Sequence, residues 1–213
     1  LDAADVISKS FLDALSSHCK SKKSDFWLMG EVVHGDYNDW VKPYRLDSVT
    51  NYQIYKALWS ALNDKNLFEL SYNLNREFGE NGMYKSFLPY NFLDNHDVNR
   101  IRSNIKSKEH LFLLYALLFL IPGLPSIYYG SEMGIKGERN NQGDFQLRPS
   151  LPSFSEMPDF AKPDVDSFAL EKTIKDFSKI RQNQIALQLG DYKELSVSNE
   201  TFAFARSYNK EKI

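Results

Sequence analysis

Short apolar runs that end in a glycine or a carboxylate alternate along this chain with longer stretches whose apolar residues recur every three or four positions. Leu1 to Ala4 reads as a strand end containing Asp2, and Val6, Phe11, Leu12 and Leu15 predict a helix reaching His18. After the polar turn Lys20 to Asp25, the run Phe26-Trp27-Leu28-Met29 predicts a strand buried on both faces, ending at Gly30-Glu31. Ser48 to Tyr52 predicts a short strand, and Leu58, Leu62, Leu67, Leu70 and Leu74 predict one helix over Tyr55 to Phe78. Phe87 to Leu93 leads into Asp94-Asn95-His96-Asp97, and Leu111 to Ile121 is apolar on all sides, as in a buried helix, until Pro122-Gly123 breaks it. Ser126 to Tyr129 is a fourth run, and Gly130 to Pro163 is long, polar loop. A helix capped by Asp166 or Ser167 follows through Ile180, with Gly190 ending the segment. Leu195, Val197, Phe202 and Phe204 then alternate around Asn199-Glu200, the pattern of a β-hairpin.

Repeated strand-then-helix order implies a parallel sheet with helices outside it, either an open doubly wound sheet or a closed barrel. In both, ligands lie at the carboxyl ends of strands. Asp2, Glu31 and Asp97 each fall at such an end, and three carboxylates from distant parts of the chain gathered on one rim favour the barrel. One carboxylic acid that protonates a leaving oxygen and one carboxylate that attacks an anomeric carbon suffice for glycosidic cleavage, and a third can stabilise the developing positive charge. Taken singly, each of the three is explained equally by helix capping or by pairing with an arginine. A metal site built from Glu31, His96 and Asp97 is the other alternative, but no spacing typical of metal ligands supports it, so no metal is expected.

Composition removes other classes. With 213 residues, 42% of them apolar, the chain can bury one substantial core. Its 26 basic against 28 acidic residues give a net charge of −2, no field to draw nucleic acid or an anionic membrane. No apolar run is long enough to span a bilayer. Cys19 is the single cysteine, which rules out an internal disulfide and leans toward a reducing, cytoplasmic compartment without deciding it.

Phe92-Leu93-Asp94-Asn95-His96-Asp97 resembles the strand-seven motif of the α-amylase family, glycoside hydrolase family 13. Phe26 to Glu31 is similar to the family's strand-five motif, Leu1-Asp2-Ala3-Ala4 to the end of its strand-four motif, and Pro122 to Gly134 (PGLPSIYYGSEMG) to its strand-eight stretch, all in family order. The resemblance implies an α/β fold: the carboxyl-terminal part of a (β/α)8 barrel, about strands 4 to 8, over residues 1–190, followed at 191–213 by the start of an all-β sandwich domain. It implies Asp2 as nucleophile, Glu31 as general acid and base, and Asp97 as stabiliser of the transition state. His96 is expected on sugar hydroxyls, His34 on the far side of the scissile bond, and Asn95, Tyr37 and Arg148 as further substrate contacts; Asp144 and Arg148 can equally pair with each other. His18 and His110, on helices, are read as surface residues.

The implied partner is an α-glucan, a maltodextrin or starch-like chain with α-1,4 or α-1,6 links, and no cofactor is implied, with calcium left open. Val33 stands where cyclodextrin-cleaving members commonly carry Trp, which argues against that preference. The family's Arg two residues before the nucleophile, and its strands one to three, have no counterpart here, so the expectation is a fragment without glycosidase activity of its own. An amylase-like protein that serves as a binding partner without catalysis is the competing class. All three carboxylates are present, which favours the enzyme. The sequence leaves oligomeric state and exact linkage open.

Overall fold

The computed structural model describes residues 1–41, 45–141, 143–150 and 156–213. A 3-10 turn at Ala4–Val6 leads into α1 (Lys9–Lys22), whose cap Ser8 accepts the Phe11 amide at 3.3 Å. Only Leu12 of the periodic apolar set is fully buried, while Val6 and Phe11 are exposed. Next come β1 (Met29–Gly30), β2 (Ser48–Val49), α2 (Tyr52–Asn63), α3 (Leu67–Phe78) and β3 (Tyr90–Asn91). They are followed by α4 (Ile101–Asn104), α5 (His110–Leu120), β4 (Leu124–Pro125), α6 (Ser167–Asn183) and α7 (Ile185–Leu189). The chain closes with β5 (Asp191–Val197), β6 (Phe202–Tyr208) and β7 (Glu211–Lys212).

Four differences from the pattern have local causes. The strand at Phe26 to Met29 shrinks to Met29–Gly30, and Phe26 and Trp27 stay part-exposed rather than buried on both faces. Tyr52 leaves the strand and opens α2, because Asn51 turns its side chain to accept the Ile54 amide. The single helix over 55–78 is two, broken at Lys65, whose φ of +50° no helix accommodates. In the fourth run the strand is Leu124–Pro125; after the Ser126 amide bonds to the Asn91 carbonyl, the chain turns away toward Gly130 (φ +79°). Parts of the long loop, at 142 and 151–155, lie outside the described residues.

The parallel strands run side by side in chain order. Leu1 pairs with β1, its ammonium donating to the Met29 carbonyl at 2.7 Å and its carbonyl accepting from Glu31 at 2.8 Å. β1 pairs with β2, a bridge between Thr50 and Tyr90 joins β2 to β3, and β3 pairs with β4, all parallel. Neighbours in sequence are thus neighbours in space, with no reversal of order among the described strands, and every strand presents its carboxyl end to the same rim. α5 packs mainly against α6 and also touches α2, which buries Leu111, Leu114, Leu117 and Leu118, while Leu113 stays exposed. No helix of the described residues is long and apolar enough to cross a membrane.

The hairpin β5–β6 is antiparallel, with a register shift between Glu194 and Ser196, and β7 adds an edge strand. It is tied down through Tyr192, Phe202 and Phe204 in the core, and by Glu194 accepting from Ser71 and Asn75 of α3. Two buried arginines finish the joint. Arg181 donates to the carbonyls of Phe119, Ile121 and Gly123, and Arg206 to those of Leu120 and Gly190, so backbone acceptors left open at the end of α5 are met by side chains.

Candidate active site

The rim holds a cleft of about 240 Å³ with Asp2, Glu31, Asn95, His96 and Tyr128 in its walls. Asp2, from the turn after the leading segment, is exposed. Glu31 follows β1 directly and is buried, its backbone held on two sides: its amide bonds to Leu1, and the adjacent Val32 exchanges two hydrogen bonds with the Thr50 hydroxyl, at 2.9 and 3.1 Å. His96 and Asp97 come from the turn after β3, where Asn95 accepts the amides of Asp97 (2.8 Å) and Val98 (3.1 Å). One ligand atom from each of Asp2, Glu31, His96 and Asp97 lies within 4.8 Å of the other three. Four residues spread over 96 positions of sequence therefore meet because parallel strands align their carboxyl ends.

The carboxylates do not titrate alike. Burial pushes the Glu31 carboxyl above its ordinary value, a hydrogen bond shared with Asp2 and the charge of Asp97 push the same way, and the Tyr52 hydroxyl opposes them. Asp2 is held below its ordinary value, first by that bond with Glu31 and then by His96. A carboxyl shifted toward its protonated form beside one shifted toward its ionised form is the division of labour that acid–base chemistry uses. Asp97 sits 3.3 Å from His96 Nε2 and 3.0 Å from Arg148. The spacing of the four groups would also suit a cation: Glu31 accepts from Tyr52 through Oε1 and Asp97 from Arg148 through Oδ1, and each keeps a second carboxylate oxygen.

Of the residues expected to contact substrate, His96 lies in the cleft. Asn95 is there too, with its amide oxygen taken by the Asp97 and Val98 backbone and its nitrogen donating to Tyr52. Arg148 pairs with Asp144 at 2.7 Å, as one reading had it, and in addition with Asp97. His34 is exposed beyond the cleft walls. Tyr37 is corrected: it is wholly buried, stacked on Tyr84 with ring centroids 5.0 Å apart, because the 3-10 turn Tyr37–Asp39 points its ring inward, and no sugar can reach it. Of the two helical histidines, His110 is half-buried, with Nδ1 shut away from solvent, and His18 is exposed.

Sequence reasoning passed over three features. Tyr52 donates to Glu31 Oε1 at 2.7 Å; its position just past a strand end was the available signal. Asp94, three residues before Asp97, is buried, accepts the Ser131 hydroxyl and the Ile101 amide, and is pushed up by that burial against the pull of Arg100. Arg100 lies over the ring of Tyr128, 4.2 Å from its centroid, and so couples the β3 and β4 loops.

Comparison with known proteins identifies the family. The chain is 27% identical to a cyclomaltodextrinase from Bacillus sp. over its whole length and 37% of that protein, and 31% identical to the maltogenic α-amylase of Bacillus acidopullulyticus over 64% of this chain and 24% of that one. Among solved structures, an Anoxybacillus α-amylase superposes over the whole chain and 45% of its own, with TM-score 0.78 and 26% identity. The cyclic α-maltosyl-(1→6)-maltose hydrolase of Arthrobacter globiformis does so over the whole chain and 46% of its own, with TM-score 0.80 and 24% identity, a likeness of fold. The chain thus spans less than half the length of each of these relatives. The family model for the catalytic domain of α-amylase matches residues 6–191, which takes in Glu31, His96, Asp97 and Arg148 and leaves Asp2 to be judged on its geometry. With an α/β fold, a rim of strand ends and a match over most of its length, the chain belongs to the α-amylase catalytic-domain family.

Proposed function

We propose that this chain carries the catalytic carboxylates of a retaining glycosidase acting on α-1,4 or α-1,6 links of maltodextrins or related α-glucans. The parallel strands correspond in this reading to about strands 4 to 8 of a (β/α)8 barrel over residues 1–190, and the hairpin from 191 to the beginning of an all-β domain. The observation that carries the proposal is the meeting of Asp2, Glu31 and Asp97 on one rim, with Glu31 raised and Asp2 lowered.

Asp2 attacks the anomeric carbon, and the bond to the leaving oxygen breaks as that oxygen takes the proton of Glu31. Glu31, now a carboxylate, removes a proton from water; the water oxygen displaces Asp2, and configuration is retained after two inversions. Asp97, its charge held by Arg148, faces the positive charge that develops on the sugar ring in both steps. One oxygen from each carboxylate lies within 4.8 Å of the others, a close approach that supports the retaining reading, since retaining enzymes hold their two carboxyl groups about 5–5.5 Å apart and inverting ones roughly 6.5–9.5 Å. His96 is placed to donate to hydroxyls of the bound sugar.

The test is a trapping experiment on the protein as its gene encodes it. A fluorinated maltosyl fluoride that reacts and then stalls should leave one glycosyl adduct on the peptide containing Asp2. An adduct on another residue, or binding of maltooligosaccharide with no turnover at all, would overturn the proposal.

A further inference from the structure

The rim contains a hydrogen-bonded chain whose direction is determined at every link. The amides of Asp97 and Val98 can only donate, so the atom of Asn95 that meets them, at 2.8 and 3.1 Å, is its carbonyl oxygen. Its other terminal atom is then the NH2 group, which can only donate, and it lies 2.9 Å from the Tyr52 hydroxyl. The Tyr52 oxygen accepts there, so its own proton points along the remaining contact, 2.7 Å to Glu31 Oε1.

We infer that Asn95 and Tyr52 are positioning residues that keep Glu31 Oε1 an acceptor and so confine the transferable proton to Oε2, the oxygen beside the Ala3 amide at the Asp2 side of the cleft. This rests on Glu31 being the proton donor. A carboxylic acid has two oxygens and rotates, and a proton on the wrong one faces away from the leaving group. Here Oε1 cannot carry it without setting two protons against each other across 2.7 Å. The contact of Oε2 with the Ala3 amide is longer, 3.4 Å, and leaves that oxygen able to hold and release a proton. The ring of Tyr52 cannot swing to relax the arrangement. It packs edge-on against Phe92, centroids 4.9 Å apart, and against Tyr55 at 6.1 Å. The groups facing Glu31 are Asp2 from the leading segment, Tyr52 from α2, and His96 and Asp97 from the turn after β3. Tyr52 supplies a donor that favours the ionised form, against the burial and negative charge that favour the protonated one.

Tyr52→Phe removes the hydroxyl and keeps the ring. The Glu31 carboxyl, followed by carbon-13 NMR across a pH titration with Glu31→Gln to assign its signal, should titrate about one pH unit or more higher in Tyr52→Phe. In an active form of the protein the alkaline limb of kcat should move the same way, with kcat falling about tenfold and KM changing little. Tyr55→Phe is the control: that hydroxyl, one turn on, bonds Asn104 instead, and its loss should leave both readouts in place. An unchanged Glu31 titration in Tyr52→Phe, or an equal shift in Tyr55→Phe, would overturn the inference. The NMR readout needs no turnover, so an unshifted carboxyl counts against this inference whereas a shifted carboxyl without hydrolysis counts against the glycosidase reading.

Discussion

Arg148 and Asp97 stand 3.0 Å apart, and the same guanidinium reaches Asp144 at 2.7 Å and the His96 carbonyl at 3.1 Å. One side chain from the loop after β4 therefore orients the whole turn that carries Asp97. Because the pair is part-exposed, its contribution to folding is small, below about 1 kcal/mol, while its contribution to placing Asp97 is not. Arg148→Ala should leave the melting temperature nearly unchanged and lower kcat/KM about tenfold or more. A loss of activity accompanied by an equal loss of folding would assign Arg148 a structural role instead.

Glu31→Gln separates acid catalysis from the rest of the site. Turnover of a maltooligosaccharide should fall by about 10² to 10⁴. Turnover of an α-glycosyl fluoride, whose leaving group needs little protonation, should fall far less. Equal losses on the two substrates would remove Glu31 from the acid role.

The pH profile of kcat/KM should be bell-shaped. With the proposed roles, the acid limb should report Asp2 and fall below the usual carboxylate range, because Asp2 is lowered, and the alkaline limb should report Glu31 and lie above that range, because Glu31 is raised. The two groups share a hydrogen bond, so the limbs belong to the pair. Glu31→Gln should erase the alkaline limb, and a limb that persists would belong to another group.

Away from the rim, Glu77 is wholly buried and pushed up to about 7 by that burial, with Asn51 donating to one oxygen and no hydrogen-bond partner for the other among the described residues. The folded state therefore holds a proton that the unfolded chain releases near 4.5. Its stabilisation is complete below that value and is lost as pH rises through about 7, a swing of about 3 kcal/mol. Denaturant titrations at pH 5 and pH 8 should show this loss in the parent and a flatter dependence in Glu77→Gln, with the variant more stable at pH 8. An identical slope in both proteins would rule the linkage out.

Gly30, the last residue of β1, directly precedes Glu31, and a methyl group there would lie 2.5 Å from a Leu46 methyl and 2.7 Å from Ala4 Cβ. Both neighbours are buried, so Gly30→Ala should cost about 1–3 kcal/mol by overpacking and displace the acid next to it. Activity measured well below the melting temperature should then fall further than the folded fraction does. Activity that simply follows the folded fraction would mean Glu31 keeps its place.

The sequence by itself determined the alternation of strand and helix and placed Asp2, Glu31, His96 and Asp97 at strand ends. Both readings depend on local patterns: apolar periodicity, glycine and proline breaks, and short motifs. It overstated strand length at Phe26, set the fourth strand at Ser126 to Tyr129 rather than at Leu124–Pro125, and ran α2 and α3 together, since a two-residue parallel rung or a single positive φ at Lys65 leaves no mark on hydropathy. It put Tyr37 on the rim, where only the packing of Tyr84 could show that the ring turns inward.

What tertiary structure alone decided is the environment of each charge. Glu31 is raised because β1 is covered, Asp2 is lowered because Glu31 and His96 lie beside it, and Tyr52 bonds Glu31 because β2 stands next to β1. Hydrogen bonds and desolvation act over a few ångströms in space, whatever the separation along the chain, so no one-dimensional pattern records them.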